Sequence, residues 1–316
     1  MSPQEWLAVV RREYLVDYVP GGGAAVKFAV STTNDGRAEL RDGLHAAADE
    51  LGFQFAFVDA AQARLHLVDK LFHAVAQQID WDALARAHLE RLLRVRGLRL
   101  PPPPASLSLS RLAELNAAHE VFLRSELTRT VQNELFDDQA MSREFRLAMI
   151  QLCLAQLDPT DNPALEQAVK GWLRGELRLV SELKRALIFQ QIGRHNARHM
   201  LFSLAHWLTR VGKSGLVLAL DVARYADAVR PAERGAGYYY SVSATMDLYE
   251  MLRQLVDATD EARFCFAAVL AGPAFLQDDR RGVRGYQALY FRIWDEVHDR
   301  HRENPLSSLA RIAAVA

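Results

Sequence analysis

Residues 24–38 read AAVKFAVSTTNDGRA: a β-type run over Ala24–Val30, a polar loop, and the start of a helix expected from about Ala38 to Leu51. Strand, loop and helix in that order near the start of a chain is the setting of a phosphate-binding loop, G-x-x-x-x-G-K-[ST]. Ser31–Ala38 occupies the slot with only Gly36 in register. Ser31 stands at the first glycine, Arg37 at the lysine and Ala38 at the hydroxyl residue. Thr32 and Thr33 are β-branched and resist the backbone angles that let N–H groups wrap a phosphate, while Asn34 tolerates them. Asp35 puts a carboxylate where phosphates would sit. Arg37 keeps the charge without the compact ammonium, and Ala38 cannot ligate Mg²⁺. Taken alone, the spacing favours an ordinary βα loop.

Working outward, residues 4–18 have the periodicity of an amphipathic helix closed by Pro20-Gly21-Gly22-Gly23. Phe53–Ala60 (FQFAFVDA) is a second strand, and 62–79 a second core-facing helix. Strand, helix, strand, helix at this spacing predicts a parallel sheet built from βαβ units. Strand signals return at Gly215–Asp221 (GLVLALD) and Arg263–Ala271 (RFCFAAVLA), separated by a helix over 241–257 and followed by one over Val283–Arg302. GLVLALD has the form of a Walker-B strand ending in Asp221. The next residue, where an ATPase keeps its water-activating glutamate, is Val222. Gly212-Lys213-Ser214 is a decoy, because it follows a helix and precedes a strand.

Between Asp82 and Gln191 the periodicity is helical with no strand: Leu84–Arg96, Arg111–Phe136, Ser142–Leu157 and Ala164–Gln191, the last with breaks available at Gly171 or Gly175. Pro101–Pro104 reads as a stiff linker, and Asn162-Pro163 as a capped helix start. The expected organisation is therefore an α/β core in two halves, 1–81 and 192–316, interrupted by a helical insertion over 82–191.

Thirty-eight basic against 39 acidic residues give a formal charge of −1, which excludes a uniformly basic nucleic-acid binder but not local patches. Cys153 and Cys265 each lie in an apolar run and read as reduced, buried thiols. The first residues lack the layout of a signal peptide. The longest near-apolar run, Phe264–Leu276, is too short for a bilayer. A cytoplasmic location with no membrane partner is expected.

The chain resembles the BREX-type ATP-binding proteins, a P-loop family of bacterial phage-defence islands. The resemblance is carried by REYLVDYVPGGGAAVKF, FVDAAQARLHLVDKLFHAVAQQIDW, GRHNARHMLFSLAHWLTRVGKSGLVLALD, YEMLRQLVDATDE and AGPAFLQDDRRGVRGYQALYFRI. It implies an AAA+-like α/β core with a helical insertion before the Walker-B strand. Of the degenerate nucleotide-site residues Ser31, Gly36, Arg37, Ala38, Asp221 and Val222, Gly36 and Asp221 keep the family pattern and the other four depart from it, as does Ala271-Gly272-Pro273 after its glycine. The expected protein is a pseudo-ATPase: no catalytic residue, no metal, no cofactor beyond weak ATP binding. It would act by binding operon-encoded defence proteins, a helicase or a nuclease. The alternatives are a nucleotide-binding regulator without turnover and a DNA-binding adaptor.

Other constellations have bland and functional readings. His195, His199 and His206 fall on one helix face, where a zinc site competes with ordinary edge packing; Asn196 excludes zinc-protease chemistry. Tyr238–Tyr240 could stack on bases or anchor a loop. Arg91, Arg94 and Arg96, with Leu107, Leu109 and Leu112 after the prolines, are the expected partner-docking surface, and Arg280, Arg281 and Arg284 a secondary one. If the nucleotide slot is empty, Arg37, or else Arg194 or Arg198, should pair with Asp221 and close it.

Overall fold

The computed structural model describes residues 1–102, 107–227, 237–294, 304 and 306–313. Two compact units divide it: Met1–Val75 with Lys213–Ala316, and Ala76–Gly212. In chain order the first half of the α/β unit runs α1 (Pro3–Val10), β1 (Ala24–Ser31), α2 (Asn34–Glu50), β2 (Gln54–Asp59) and α3 (Val68–Ala76). Among the described residues the α-helices α4 (Trp81–Val95), α5 (Leu109–Leu115), α6 (Glu120–Phe136), α7 (Arg143–Leu157), α8 (Pro163–Arg174) and α9 (Ala197–Arg210) follow. The α/β unit resumes with β3 (Leu216–Asp221), α10 (Val242–Asp257), β4 (Cys265–Ala271), α11 (Ala274–Gln277), α12 (Gln287–Ile293) and β5 (Leu309–Ile312).

Among the described residues the sheet has five parallel strands in the order β2-β3-β4-β1-β5. Strands covered on both faces read as unbroken apolar runs, and β3 and β4 are buried almost throughout. Trp6, Val10, Leu40, Leu44 and Ala48 pack on Val217, Ala219, Phe266, Ala268 and Leu270 to form the core on one face. The chain leaving β1 crosses to the far edge at β2, whereas β5 is added on the opposite flank of β1. In open sheets a ligand crevice forms outside the carboxyl ends of the strands where connections diverge in this way. Register places Asp59 beside Asp221 at that edge, with Ser31 at the end of β1. The α/β P-loop-like architecture expected from the sequence is the one observed.

Several boundaries differ. Residues 11–15 continue α1 as a π-helix, a widened turn that periodicity alone does not distinguish. The helix expected over 62–79 starts only at Val68, because Gln62 and Ala63 donate to the Asp59 carbonyl and His66 donates to Tyr225. The long helix over 111–136 is two, α5 and α6, split where the Asn116 side chain bonds Arg99 and Ala117 takes φ 48°. The helix over 164–191 ends at Gly175, which takes φ 76° in the left-handed C-cap. β5, four residues long, was not anticipated. The helix over 283–302 is a 3₁₀ turn, Val283–Gly285, and then α12. Its part beyond Trp294, and Pro103–Pro104 of the expected linker, lie outside the described residues.

The helical unit contains no strand among its described residues. Trp81, Phe145, Trp172 and Trp207 are buried in it. α9 belongs to this unit, not to the second half of the α/β core where 192–212 was expected. The Ser142 N–H donates to Ser203 Oγ at 2.8 Å, His206 Nε2 lies 3.0 Å from Asp138 and Arg210 lies 2.7 Å from Glu134. These bonds bind α9 to α6, to the start of α7 and to the residues between them. No helix of the described chain is long and apolar enough to cross a membrane.

Candidate functional site

Two residues, Thr32 and Thr33, join the end of β1 to the start of α2. The turn is closed on itself. The Thr33 N–H donates to Ser31 Oγ at 3.3 Å, and Ser31 Oγ donates to the Thr33 carbonyl at 3.1 Å. Thr33 caps α2, its Oγ1 accepting the Gly36 N–H at 3.0 Å, while the Arg37 N–H donates to the Thr33 carbonyl at 3.4 Å. A phosphate cradle needs successive N–H groups aimed outward at one point; those of Thr33, Gly36 and Arg37 are engaged within the turn. Gly36 has its own local reason to be glycine: a Cβ there would lie 2.4 Å from Ser31 Oγ and 3.1 Å from Thr33 Oγ1.

Arg37 extends from the first turn of α2 to the end of β3. Its Nε donates to Asp221 Oδ2 at 3.1 Å and its Nη2 to Asn34 Oδ1 at 3.0 Å. Both members of the ion pair are largely buried, at 14% and 19% side-chain exposure. The second Asp221 oxygen accepts the Ala223 N–H at 2.9 Å. Both oxygens of the Walker-B-like acid are thus occupied by groups of this chain. Of the arginines expected to close the site, Arg37 makes the contact; Arg194 and Arg198 belong to the helical unit. Asp59, paired with Asp221 in register, accepts the Ala61 N–H at 2.7 Å. Ala38 follows in α2 with no polar side-chain atom. Val222 is buried and its N–H continues the sheet to the Leu270 carbonyl at 2.9 Å.

Beside this closed edge lies a polar aromatic node that the sequence only half disclosed. The Tyr225 and Tyr240 rings stack at 3.8 Å between centroids. Tyr240 donates to the Ala60 carbonyl at 2.6 Å, and Tyr225 Oη accepts the His66 N–H at 2.9 Å. Burial pushes the Tyr240 phenol up to about 12 and raises Tyr225 further, so both phenols stay neutral. Arg281 lies within the node, donating to the carbonyls of Tyr225 (3.1 Å) and Tyr240 (2.8 Å) and to Tyr239 Oη (3.2 Å). The node ties the segment after β2, the segment after β3 and the turn after α11 together. Tyr240 therefore anchors a loop. The three adjacent tyrosines were visible in the sequence; their partners were not.

The expected interaction residues are placed as follows. Arg281 is buried and structural, which corrects its assignment to a docking surface; Arg280 and Arg284 are exposed. Arg91 donates to the Arg210 carbonyl, Arg94 pairs with Glu90 at 3.0 Å, and Arg96 is 4.0 Å from Glu126. Leu107, Leu109 and Leu112 are buried, so they are core residues and not exposed anchors. α5 turns its apolar face inward, which position after a proline run does not reveal. His206 bonds Asp138 and His195 faces Gln190; among the described residues no three His, Cys, Asp or Glu side chains converge.

The Arg37–Asp221 pair has a measurable consequence. Asp221→Ala leaves a largely buried guanidinium and a backbone N–H without their acceptor, and should cost about 2 kcal/mol. Asp221→Asn keeps the acceptor for Ala223 and should cost about half as much. Urea unfolding separates the two; an Ala variant as stable as the parent would mean that the pair contributes nothing.

A family model described as "BREX system ATP-binding protein BrxC/D" matches residues 110–314, which is 205 of the 316 residues. The match takes in β3, β4 and β5 and begins after the turn that joins β1 to α2. No curated protein and no solved structure matches the chain.

Proposed function

We propose that this chain, which belongs to the BREX system ATP-binding protein family BrxC/D, is a catalytically silent P-loop subunit of a bacterial phage-defence complex. It acts in the cytoplasm by binding proteins encoded in its own operon, among them a helicase or a nuclease. The reading is supported above all by Arg37, which pairs with Asp221, the acid at the end of the Walker-B-like strand, at 3.1 Å. ATP hydrolysis asks for Mg²⁺ held by a hydroxyl side chain and a Walker-B acid, and for an acid that orients water. Ala38 and Val222 stand at the hydroxyl and water-orienting positions, and Asp221 is already paired. A fold relieved of its chemistry still offers a rigid platform, and fold does not dictate function.

The expected result is phosphate release indistinguishable from a buffer blank, with or without duplex DNA, and unchanged by Asp221→Ala. Calorimetry with Mg-ATP should give no binding tighter than a Kd of about 100 μM, because binding must first part Arg37 from Asp221. Steady phosphate release that disappears in Asp221→Ala would overturn the reading. Low-micromolar affinity without turnover would replace it with a nucleotide-binding regulator.

A further inference from the structure

Beyond α8 the chain makes a compact loop, residues 177–191, whose ends are tied by Gln191 Nε2 donating to the Leu177 carbonyl at 3.4 Å. Trp172 Nε1 pins the same end through the Gln190 carbonyl at 3.0 Å. Inside the loop a 3₁₀ helix, Val180–Ala186, sends Leu183 and Ala186 into the core, and Ile188 follows them. Loops of this kind, closed at the neck and packed by their own side chains, are frequently functional.

Three large apolar side chains of the loop point the other way. Leu179 is 62% exposed, Leu187 52% and Phe189 62%. Leu187 caps the 3₁₀ helix in the left-handed region, at φ 59° and ψ 27°. Glycine is the ordinary residue there. The turn is held by the Leu187 N–H donating to the Lys184 carbonyl at 3.0 Å and by the burial of Ile188, and the half-exposed leucine side chain is not part of what holds it. Arg178, Lys184 and Arg185 are exposed in the same loop, against one carboxylate within it, Glu182. No ion pair joins those three cations to an acid among the described residues.

We propose that the loop 177–191 docks an acidic segment of a partner protein, with Leu179, Leu187 and Phe189 as the apolar anchors and Arg178, Lys184 and Arg185 as the steering charges. The inference rests on the partner-binding reading above and names its surface. Aliphatic anchors favour a protein over a nucleic acid, which would be met by aromatic stacking. A cluster of desolvated anchors inside a charged rim is the anatomy of a protein interface.

The test uses the full chain co-purified with the products of the neighbouring genes, followed by titration of whichever forms a complex. Leu179→Ser with Phe189→Ser should weaken that complex by more than about 30-fold. Charge reversal at Arg178, Lys184 and Arg185 should weaken it about tenfold and flatten its salt dependence. Leu187→Gly should weaken binding while raising Tm by about 1–3 °C, since it relieves strain; loss of binding with a gain of stability cannot come from misfolding. A complex that forms and stays within twofold in all three variants overturns the surface and leaves the partner-binding reading intact. No complex with any neighbouring product overturns both. Two further results also overturn the proposal. One is binding of a 30-bp duplex that depends on the cations and not on the leucines; the other is a homodimer that dissociates in Leu179→Ser with Phe189→Ser.

Discussion

Gly215→Ala is expected to cost about 3–5 kcal/mol. Gly215 immediately precedes β3, the strand between β2 and β4. It takes φ 132°, and a Cβ there would lie 2.3 Å from the Phe264 carbonyl oxygen. That oxygen cannot move aside, because it accepts the Leu216 N–H at 2.9 Å, and Phe264 is itself held at φ 64°. On the other side the Gly215 carbonyl accepts the Gln54 N–H at 2.9 Å. The glycine is thus clamped between two backbones, and both a strained φ and a steric overlap fall on the same residue. Gly212 is the control: it has φ 89° but nothing within 4 Å of a Cβ, so Gly212→Ala carries only the conformational cost of about 1 kcal/mol. Denaturant unfolding of both variants is the measurement. If Gly215→Ala loses no more than Gly212→Ala, the start of β3 is not the rigid point it is taken to be.

Arg281→Met should lose about 2–4 kcal/mol despite preserving the length and apolar stem of the side chain. The guanidinium is buried and supplies donors to two backbone carbonyls, those of Tyr225 and Tyr240, and to Tyr239 Oη. Methionine leaves both carbonyls without this donor, and an unmet buried acceptor is costlier than the net worth of a hydrogen bond. Arg281→Lys should recover only part of the loss, since one ammonium cannot span the fork that a planar guanidinium fills. The readouts are Tm and the near-ultraviolet circular dichroism of the Tyr225–Tyr240 stack. A methionine variant with parental Tm and an undisturbed tyrosine signal would show that the node does not depend on Arg281.

Local patterning carried much of the fold. GLVLALD and RFCFAAVLA announced β3 and β4 because strands covered on both faces are continuously apolar, while AAVKFAV announced β1 as a short β-type run and FQFAFVDA announced β2 by its alternating aromatics. β5 escaped since LARI is four residues long and has no pattern of its own; it is a strand only because β1 presents an open edge to it. The site was legible in one respect that depended on charge balance. Asp221 at a carboxyl strand end called for a cation from the chain, and of Arg37, Arg194 and Arg198 it is Arg37 that supplies it.

Residue types and their spacing were sufficient, by themselves, to determine the parallel α/β core and the helical block, because each depends on periodicity within short segments. Which arginines stand free and which leucines are core was decided only in three dimensions. Arg281 and Arg280 are neighbours of the same type, yet one is buried among carbonyls and the other is solvated. Leu109 and Leu179 are equally apolar, yet one is buried and the other exposed. A side chain's burial depends on what the rest of the chain brings against it. Those partners lie 41 and 56 residues away for Arg281, beyond the reach of any local pattern.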